Sequence, residues 1–409
     1  MFIGMDDTDS TKGMCTTYLC KLVMESLKDS CEIRGFPRLI RLNPNIPYKT
    51  RGNGALSFEA YGDKEKVIDA LIDKLKKHHM EDRNTNPGVV VIDGDVPDVI
   101  KGFYHRCLHE HIEISEAEAL IDDIGAWSYK MGNGRGLIGA LASIGADLDD
   151  HTYELIAYRM PENIGSKRMV DGNSVALMDD RHFPVVFDSY DRNNDYIAIA
   201  PNSPCPVLYG IRGNDWKVLE DASSMVSSEP INMSQVFMTN QGTDAHIQEM
   251  PIGEVGEYMS VKVLGRITES PHYEHRGHLF FKMADETGDI IAAAYEPTKE
   301  FRNTISKLFI GDRIAAWGGV SRTEFGLTIN LEKILVYGLV RIVENIVPSC
   351  CGKKMQSIGK GKGYRCKQCG LKISESDVAT RNRGRDVKKG LYEVPIIARR
   401  HLAKPLSRL

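Results

Sequence analysis

The spacing of apolar residues at the beginning of the chain predicts a strand followed by a helix. Residues 1–5 form a short apolar run that meets acidic and turn-forming residues at once, which is typical of a buried strand ending in a loop. In residues 14–27 apolar side chains recur every three to four positions, which predicts an amphipathic helix beginning near Gly13 to Thr16. We therefore expect a strand, an acidic loop and a helix in succession.

Similar patterns continue through the first third of the chain. They predict strands at residues 34–43, 56–60 and 87–93, the second of them half exposed, and helices at residues 63–79, 96–118 and 137–144. Strands and helices alternate, which favours an α/β amino-terminal domain.

A second unit is expected between residues 149 and 254, where strand-like and helix-like pieces alternate. These pieces lie at residues 153–159, 196–200, 216–226 and 235–239. This spacing suggests a small α+β sandwich, and the prolines of residues 201–213 predict a rigid loop within it.

The spacing of short strands and turns in residues 257–340 is typical of an all-β domain. Strands are predicted at residues 259–267, 278–284, 290–294, 313–320 and 327–336, with a short helix at 296–308. Five strands with a helix between the third and the fourth fit an OB-fold β-barrel, a fold that commonly binds single-stranded nucleic acid. Phe280, Tyr295 and Phe301 are candidates for stacking on bases, although each residue type is more often part of a core.

Four of the nine cysteines are confined to residues 350–369, which argues for a local metal site rather than a disulfide framework. Cys366 and Cys369 form a CxxCG knuckle, and 14 residues separate Cys351 from Cys366, as in a zinc ribbon. The first half is not CxxC, so the fourth ligand is open. Cys350 is a candidate with distorted geometry, and a degenerate ribbon without stable metal is the alternative.

The formal charge of −4 hides a division along the chain. Residues 350–409 contain 16 Lys/Arg and 4 Asp/Glu, a net of +12 that leaves −16 for the rest. Such a basic tail suits nucleic acid, although a solvated charged face has the same composition. With 42% hydrophobic residues and no long apolar run, we expect a globular cytoplasmic protein without signal peptide, membrane span or obligate protein partner.

The acidic loop suits magnesium-assisted phosphoryl transfer. Magnesium takes one or two carboxylates plus phosphate oxygens, and a helix amino terminus offers free N–H groups to an anion. Asp6, Asp7 and Asp9 could hold the metal while Gly13 to Thr16 receive phosphate. Equally, Asp9 or Ser10 could only cap the helix, and no Walker-type string is present.

Two further glycine-rich segments carry cations. Lys49 and Arg51 flank the glycines of residues 52–54, where backbone could approach phosphate, although a plain hairpin turn would use the same glycines. Arg135 lies within the glycine cluster of residues 132–136 and is a candidate phosphate or substrate contact. Tight helix packing would require the same glycines.

Seven strings, in order, resemble those of the archaeal agmatidine synthase family, the isoleucine-tRNA 2-agmatinylcytidine synthetases. They are residues 4–10, 13–18, 35–43, 46–55, 134–140, 204–213 and the tail segments 392–395 and 398–402. The resemblance covers essentially the whole chain. It implies ATP-dependent joining of agmatine to the wobble cytidine of the isoleucine tRNA with a CAU anticodon, so that this tRNA reads AUA codons.

The resemblance also implies a multidomain α+β architecture of four parts. We expect a kinase-like α/β domain at residues 1–148, a ferredoxin-like domain at 149–255, an OB-fold barrel at 256–342 and a zinc ribbon with a basic tail at 343–409. In this family ATP phosphorylates the base carbonyl, the primary amine of agmatine displaces the phosphate, and ATP leaves as AMP and pyrophosphate-derived products.

By the same resemblance, Asp6, Asp7 and Asp9 would bind magnesium at the ATP phosphates. Thr16 would be the threonine that the kinase-like domain can itself phosphorylate. The segment at 204–213 would help to form the agmatine site, with Pro204, Tyr209 and Arg212 as hypothetical contacts. Because agmatine is a dication, carboxylates should also line its pocket.

Two rival functions remain at this point. A non-enzymatic single-strand binder would need the barrel and ribbon, but it would have no use for the acidic loop or for ATP. A small-molecule kinase would turn over ATP without regard to tRNA or to residues 256–409.

Overall fold

The computed structural model describes residues 1–50 and 52–409. The first unit contains five strands and five helices within these residues. The strands are β1 (Phe2–Asp6), β2 (Cys31–Arg41), β3 (Gly54–Gly62), β4 (Gly88–Ile92) and β5 (Trp127–Lys130). The helices are α1 (Thr16–Leu27), α2 (Lys64–His78), α3 (Asp98–His109), α4 (Ile114–Asp123) and α5 (Gly136–Ile144).

Helices cover both faces of this part of the sheet. Alternate residues of β1 and β4 point to opposite faces: Val89 and Val91 pack with α1 and α2, whereas Val90 and Ile92 pack with α3, α4 and α5. Strand β3 was predicted to be half exposed, but Ser57 is buried. The Ser57 hydroxyl donates to the Ser143 carbonyl of α5 at 2.8 Å, because α5 covers that face.

The predicted helix at 96–118 is two helices, α3 and α4. The cap residues between them, Glu110 and Glu113, have extended backbone, and Glu113 forms a capping box with Glu116 at the start of α4. The sequence pattern predicted one helix because both helices place apolar residues in the same core.

The second unit has a β-α-β-β-α-β order with a small extra hairpin. Its elements are β6 (Thr152–Arg159), α6 (Gly172–His182), β7 (Val186–Phe187), β8 (Tyr190–Asp191), β9 (Tyr196–Ile197), β10 (Val207–Gly213), α7 (Trp216–Met225) and β11 (Ile231–Thr239). Its sheet order β11-β6-β10-β7 is that of a ferredoxin-like fold. Strand β11 also pairs in parallel with β2, so that the two units share one nine-stranded sheet within the described residues.

The prediction of a loop over residues 201–213 is wrong for its second half. Residues 207–213 form β10, which lies inside the sheet and is paired with β6 and β7. The prolines at 201, 204 and 206 end before the first paired residue, because proline cannot donate to a strand ladder.

The third unit confirms the predicted OB barrel. Its elements are β12 (Gln248–Glu249), β13 (Ser260–Tyr273), β14 (Leu279–Ala284), β15 (Asp289–Ala294), α8 (Phe301–Ile305), β16 (Arg313–Thr323) and β17 (Gly326–Gly338). Pairing of β13 with both β14 and β16 closes the barrel around an apolar core. Phe301 lies in that core at 3% exposure and is therefore removed from the candidate base-stacking residues.

The last unit is a small β-rich ribbon followed by a tail that returns to the other domains. Its strands are β18 (Ile342–Asn345), β19 (Ser349–Cys350), β20 (Lys353–Lys354), β21 (Gln356–Ser357), β22 (Tyr364–Arg365), β23 (Lys372–Ile373), β24 (Thr380–Arg383) and β25 (Gly390–Glu393). Strand β25 pairs with β17 and extends the barrel sheet.

The basic residues of the carboxy-terminal region fall into two groups, those in internal ion pairs and those exposed to solvent. The tail cations pair within the chain: Arg399 lies 2.5 Å from Glu393, and Lys404 and Arg408 each lie 2.9 Å from Asp150. Exposed positive charge is concentrated instead on the ribbon, at Lys353, Lys354, Lys360, Lys362, Arg365, Lys367 and Lys372. Arg399, Lys404 and Arg408 are therefore used in internal ion pairs, whereas Arg383, Lys388 and Lys389 are exposed.

No helix among residues 1–50 and 52–409 combines the length and apolar character needed to cross a bilayer.

Candidate functional site

Asp6 ends β1 at a place where helix α5 comes very close. A Cβ added to Gly139 would clash with Asp6 Oδ2, and one added to Gly136 would meet the Asp6 carbonyl at 2.6 Å. The glycines of this region therefore serve tight helix packing, the alternative left open by the sequence. The packing buries the Asp6 carboxylate beside the first turn of α5.

The acidic loop concentrates negative charge in a confined place. Burial and the neighbouring Asp7 raise the pKa of Asp6 well above its ordinary range. Burial, followed by the charge of Asp9, raises the pKa of Asp7 to about 7, although hydrogen bonds from Asn86 act in the opposite direction. Holding these carboxylates close together costs free energy because their charges repel each other. A cation that binds between them lowers this cost.

The oxygens of these three carboxylates do not form a ready-made metal cage. Asp6 Oδ1 accepts from the Asp7 N–H at 2.6 Å, Asp7 Oδ2 accepts from the Asn86 N–H at 3.0 Å, and Asp9 faces the start of α1. Magnesium commonly uses one or two carboxylates together with water and phosphate oxygens. The residues fit such a site, in which the phosphates complete the coordination.

Thr16 is held at the amino terminus of α1 by Asp9. Asp9 Oδ1 accepts from the Thr16 N–H at 2.7 Å and from its hydroxyl at 3.2 Å. Thr8 donates to the Thr16 hydroxyl at 3.1 Å. Asp9 thus caps helix α1, which is one of the two roles that the sequence left open for it. Asp9 also lines the adjoining cavity.

A cavity of about 60 Å³ unites most of the residues predicted for ATP and metal. Its lining includes Asp6, Asp7, Asp9, Thr16, Lys49 and Arg135. The Arg135 guanidinium lies 4.4 Å from the centre of the Tyr48 ring, and burial followed by the charge of Arg400 lowers the pKa of Lys49. Gly13 lies in the preceding turn and not in this lining, and Arg51 lies outside the described residues.

A second cavity of about 300 Å³ opens from the first. Both are lined by Asp9, Thr16, Gly52 and Gly54, so that they form one cleft between the first two units. Side chains at positions 52 and 54 would clash with Arg41, which explains the glycines there. A Cβ would lie 2.9 Å from Arg41 Nη1 at Gly52 and 2.8 Å from it at Gly54. The glycine loop therefore makes room for a buried guanidinium.

Glu154 of β6 lines the second cavity and lies at the centre of a group of polar contacts. Gln241 Nε2 donates to Glu154 Oε2 at 2.5 Å, and Gln241 Oε1 accepts from Arg41 at 3.2 Å. Arg212 of β10 approaches Glu154 to 3.5 Å from the other side. The guanidinium groups of Arg41 and Arg212 thus give this part of the cavity wall a net positive charge, whereas Asp9 supplies negative charge elsewhere in the lining.

The three predicted agmatine contacts are placed very differently. Arg212 lines the second cavity, whereas Pro204 does not. Tyr209 is fully buried on the opposite face of β10, where its hydroxyl lies 3.0 Å from Ser223 Oγ. Alternation along the strand sends Arg212 and Tyr209 to opposite faces, so Tyr209 contacts the core and not the cleft.

The ribbon brings all four of its cysteines together. The sulfur atoms of Cys350, Cys351, Cys366 and Cys369 lie within 4.8 Å of one another, the one such set of potential metal ligands among the described residues. Sγ of Cys350 lies 3.8 Å from that of Cys351 and 3.5 Å from that of Cys369. Cys351 has a φ of 53°, which turns two adjacent side chains toward one point. These positions fit a tetrahedral zinc ion bound by four thiolates.

Sequence patterns missed several residues of the cleft. Arg41, Glu154 and His401 line the second cavity and come from three distant parts of the chain. His401 had one available signal, since it stands in the string 398–402 on which the resemblance rests, but nothing in the string indicates that the tail returns to the cleft.

Models of known protein domains match most of the chain. Residues 2–64 and 58–133 match the TiaS TCKD domain, and residues 134–246 match the TiaS FLD domain. Residues 261–337 match an OB-fold nucleic acid binding domain, and residues 347–386 match the TiaS C-terminal zinc ribbon domain. The predicted four-part architecture is confirmed.

Relatives and solved structures match over the full length. The isoleucine-tRNA 2-agmatinylcytidine synthetase TiaS of Archaeoglobus fulgidus is 43% identical, with 100% of this chain and 97% of the relative covered. A crystal structure of TiaS in complex with its isoleucine tRNA and ATP has 42% identity and a TM-score of 0.93, with 100% of this chain and 97% of that chain covered. A complex of TiaS with the same tRNA, AMPCPP and agmatine has 40% identity and a TM-score of 0.89 at the same coverage. Taken with the four matching domains, this full-length identity shows that the chain belongs to the isoleucine-tRNA 2-agmatinylcytidine synthetase (TiaS) family.

Proposed function

We propose that the protein is an ATP-dependent ligase that joins agmatine to the wobble cytidine of the isoleucine tRNA with a CAU anticodon. The observation that carries the proposal is the single cleft, in which an acidic loop and cations adjoin a second cavity large enough for a small substrate. The relatives' name and the solved complexes with isoleucine tRNA, ATP and agmatine support the choice of substrates.

The chemistry follows from the poor leaving-group character of the base carbonyl. A phosphoryl group passes from ATP to the oxygen on C2 of cytosine. The primary amine of agmatine then attacks C2 and loses a proton, the C2–O bond breaks, and the oxygen leaves as part of inorganic phosphate. Such steps depend on positioning and on stabilising charge rather than on a covalent protein nucleophile.

In this proposal Asp6, Asp7 and Asp9 hold magnesium at the phosphates of ATP. The bound ion would offset phosphate charge, and the raised pKa values of Asp6 and Asp7 support a loop that favours a positive neighbour. Lys49 and Arg135 line the same cavity and would contact phosphate oxygens. Arg51 stays a predicted contact of the same kind.

Thr16 is proposed as the position of autophosphorylation. Its hydroxyl faces the cavity that contains the acidic loop and is oriented by Asp9 and Thr8. Transfer to this hydroxyl would require breaking its 3.2 Å hydrogen bond to Asp9, so that Asp9 would stand at the point where a proton could be accepted.

Agmatine would occupy the second cavity. Its ammonium and guanidinium groups need acceptors, which Asp9 and Glu154 provide among the lining side chains. Arg212 carries the same sign of charge as agmatine and lies 3.5 Å from Glu154, so it would not bind agmatine directly.

The barrel and the ribbon would hold the tRNA. An anticodon loop is already single-stranded, so the wobble base can be displaced into the cleft at low cost. The exposed lysines of the ribbon supply phosphate contacts, and a cytoplasmic location is part of the proposal.

The test is incorporation of labelled agmatine into a CAU-anticodon isoleucine tRNA transcript with ATP and magnesium. We expect labelling of the wobble cytidine by wild type, near-complete loss with Asp9→Ala and Thr16→Val, and wild-type activity with Asp69→Ala. Asp69 is an exposed carboxylate on α2, away from the cleft. Binding of tRNA without any transfer of agmatine would favour a non-enzymatic binder, and ATP turnover indifferent to tRNA would favour a small-molecule kinase.

A further inference from the structure

The carboxy-terminal tail is fixed on both sides of one residue, His401. The Gly242 N–H donates to the His401 carbonyl at 2.8 Å, and the Asp244 N–H donates to the Leu402 carbonyl at 2.9 Å. Before this point Arg400 donates to Asn45 at 2.6 Å, and after it the Lys404 N–H donates to Asp244 at 2.6 Å. The backbone position of His401 is thus determined by contacts to distant parts of the chain.

The side chain of His401 points away from these backbone contacts and lies in the cleft. Leu402 and Ala403 are buried at 2% and 3% exposure, whereas His401 itself is exposed to the cavity. It lines the second cavity and also an adjoining one of about 210 Å³. Its ring lies 3.5 Å from the place that a Cβ on Gly52 would occupy, so the glycine loop leaves space for it.

The arrangement of hydrogen bonds fixes the tautomer of this histidine. Arg212 Nη2 lies 2.6 Å from His401 Nδ1, and a guanidinium can only donate, so Nδ1 accepts. Desolvation by the surrounding residues, followed by the charges of Arg41 and Arg212, lowers the pKa of His401 well below its ordinary value. The ring is therefore neutral with its proton on Nε2, and Nε2 has no protein acceptor among the described residues.

We propose that His401 donates a hydrogen bond from Nε2 to a phosphate oxygen of a bound substrate, in an anion subsite that it forms with Arg41 and Arg212. This deepens the proposed function and rests on it for the identity of the anion, which is either the triphosphate of ATP or a phosphate of the tRNA. Both guanidinium groups flank the imidazole, so an acceptor with negative charge is favoured at the open nitrogen.

The subsite would explain why the tail is built into the catalytic half of the molecule. The tail follows the ribbon and β25, so its path links the tRNA-facing domains to the cleft. His401 then contacts substrate together with the two guanidinium groups, and Arg212 also holds the His401 ring through its hydrogen bond to Nδ1.

The test compares His401→Gln, His401→Asn and His401→Leu in the full-length protein. The glutamine amide can place a donor near the position of Nε2, the asparagine amide can retain only the partner of Arg212, and leucine retains neither. We expect the Michaelis constant for one polyanion to rise about 10-fold in His401→Asn and His401→Leu, and to be largely rescued in His401→Gln. Ser407→Ala, on the same tail, is the control for general damage to the segment.

The two sources of phosphate are separated by titrating each substrate alone. A rise confined to ATP assigns the contact to the triphosphate, and a rise confined to tRNA assigns it to the RNA backbone. Unchanged constants for both polyanions, or an effect on agmatine only, would overturn the proposal. Direct binding of ATP and of tRNA to the same variants is measured as well, so the subsite is tested even if wild type transfers no agmatine and the proposed function fails.

Discussion

Gly139 lies directly beneath the carboxylate of Asp6, with no room for a Cβ between them. Gly139→Ala should therefore displace Asp6 without removing any functional group. Because small misplacements of catalytic groups are costly, we expect about a 100-fold loss of agmatine transfer. The assay is initial-rate labelling of the isoleucine tRNA at saturating ATP.

Gly102→Ala is the matched control, since this helical glycine of α3 has no heavy atom within 4 Å of an added Cβ. It should keep full activity and stabilise the protein by about 0.5–1 kcal/mol, because alanine is the better helix former. Equal loss of activity in both variants would show that packing of the helices in general, and not the Asp6 position, had been disturbed.

Zinc should be lost when any one of the four clustered cysteines is changed. We expect Cys350→Ser and Cys351→Ser each to abolish stoichiometric zinc, measured by elemental analysis after dialysis, because four thiolates converge on one position. Cys31→Ser, outside the ribbon, should keep one zinc per chain. Retention of zinc by Cys350→Ser would mean that Cys350 is not the fourth ligand.

Removal of zinc by a chelator should unfold the ribbon and leave the barrel folded, since the ribbon has only short strands and a small core. Hydrogen exchange should then increase in residues 347–386 and remain low in β13 to β17. Loss of protection throughout the barrel would contradict this division.

The aromatic rings of Phe280, Tyr295 and Phe325 form a row that runs from the buried Phe280 to the exposed Phe325. The Phe280 ring lies 5.5 Å from that of Phe325 and 6.0 Å from that of Tyr295. Phe325 is 52% exposed, so Phe325→Ala should weaken tRNA binding about 5- to 100-fold by removing a stacking surface. Phe309→Ala is the control, because the Phe309 ring already lies 4.8 Å from the Arg385 guanidinium. Equal affinities of the two variants, measured by gel shift, would exclude the row as a base platform.

Acid should loosen the contact between the barrel and the amino-terminal units through Glu332. Glu332 Oε2 lies 3.4 Å from His246 Nε2, and both side chains are buried. Burial raises the pKa of Glu332, but the charges of His246, Arg400 and Lys333 outweigh it, and the folded pKa is lowered from the ordinary 4.5. The stability from this carboxylate is thus present above pH 4.5 and is lost as the pH falls through the folded value.

We expect the free energy of unfolding of Glu332→Gln to be lower at neutral pH and to change less below pH 4.5 than that of wild type. Glu324→Gln, at an exposed turn of the barrel, should follow the wild-type curve. Denaturant titrations at a series of pH values make the comparison, and parallel curves for wild type and Glu332→Gln would contradict the prediction.

The sequence by itself determined the order of the domains, most strands and helices, and the local chemistry of the acidic loop and the ribbon. These features depend on neighbours in the chain: the apolar run before Asp6, the spacing of Cys366 and Cys369, and the periodicity of α1 and α2. Patterns of this kind record local geometry, so they can be detected without knowledge of distant contacts.

Only the tertiary structure decided which distant residues meet. It placed Tyr209 in the core and Arg212 in the cleft, because residues 207–213 form an inner strand whose side chains alternate. It brought Arg41, Glu154 and His401 together from three separate segments, and it used the tail cations in internal ion pairs. Such pairings depend on long-range packing and burial, which leave no periodic signal in the sequence around each residue.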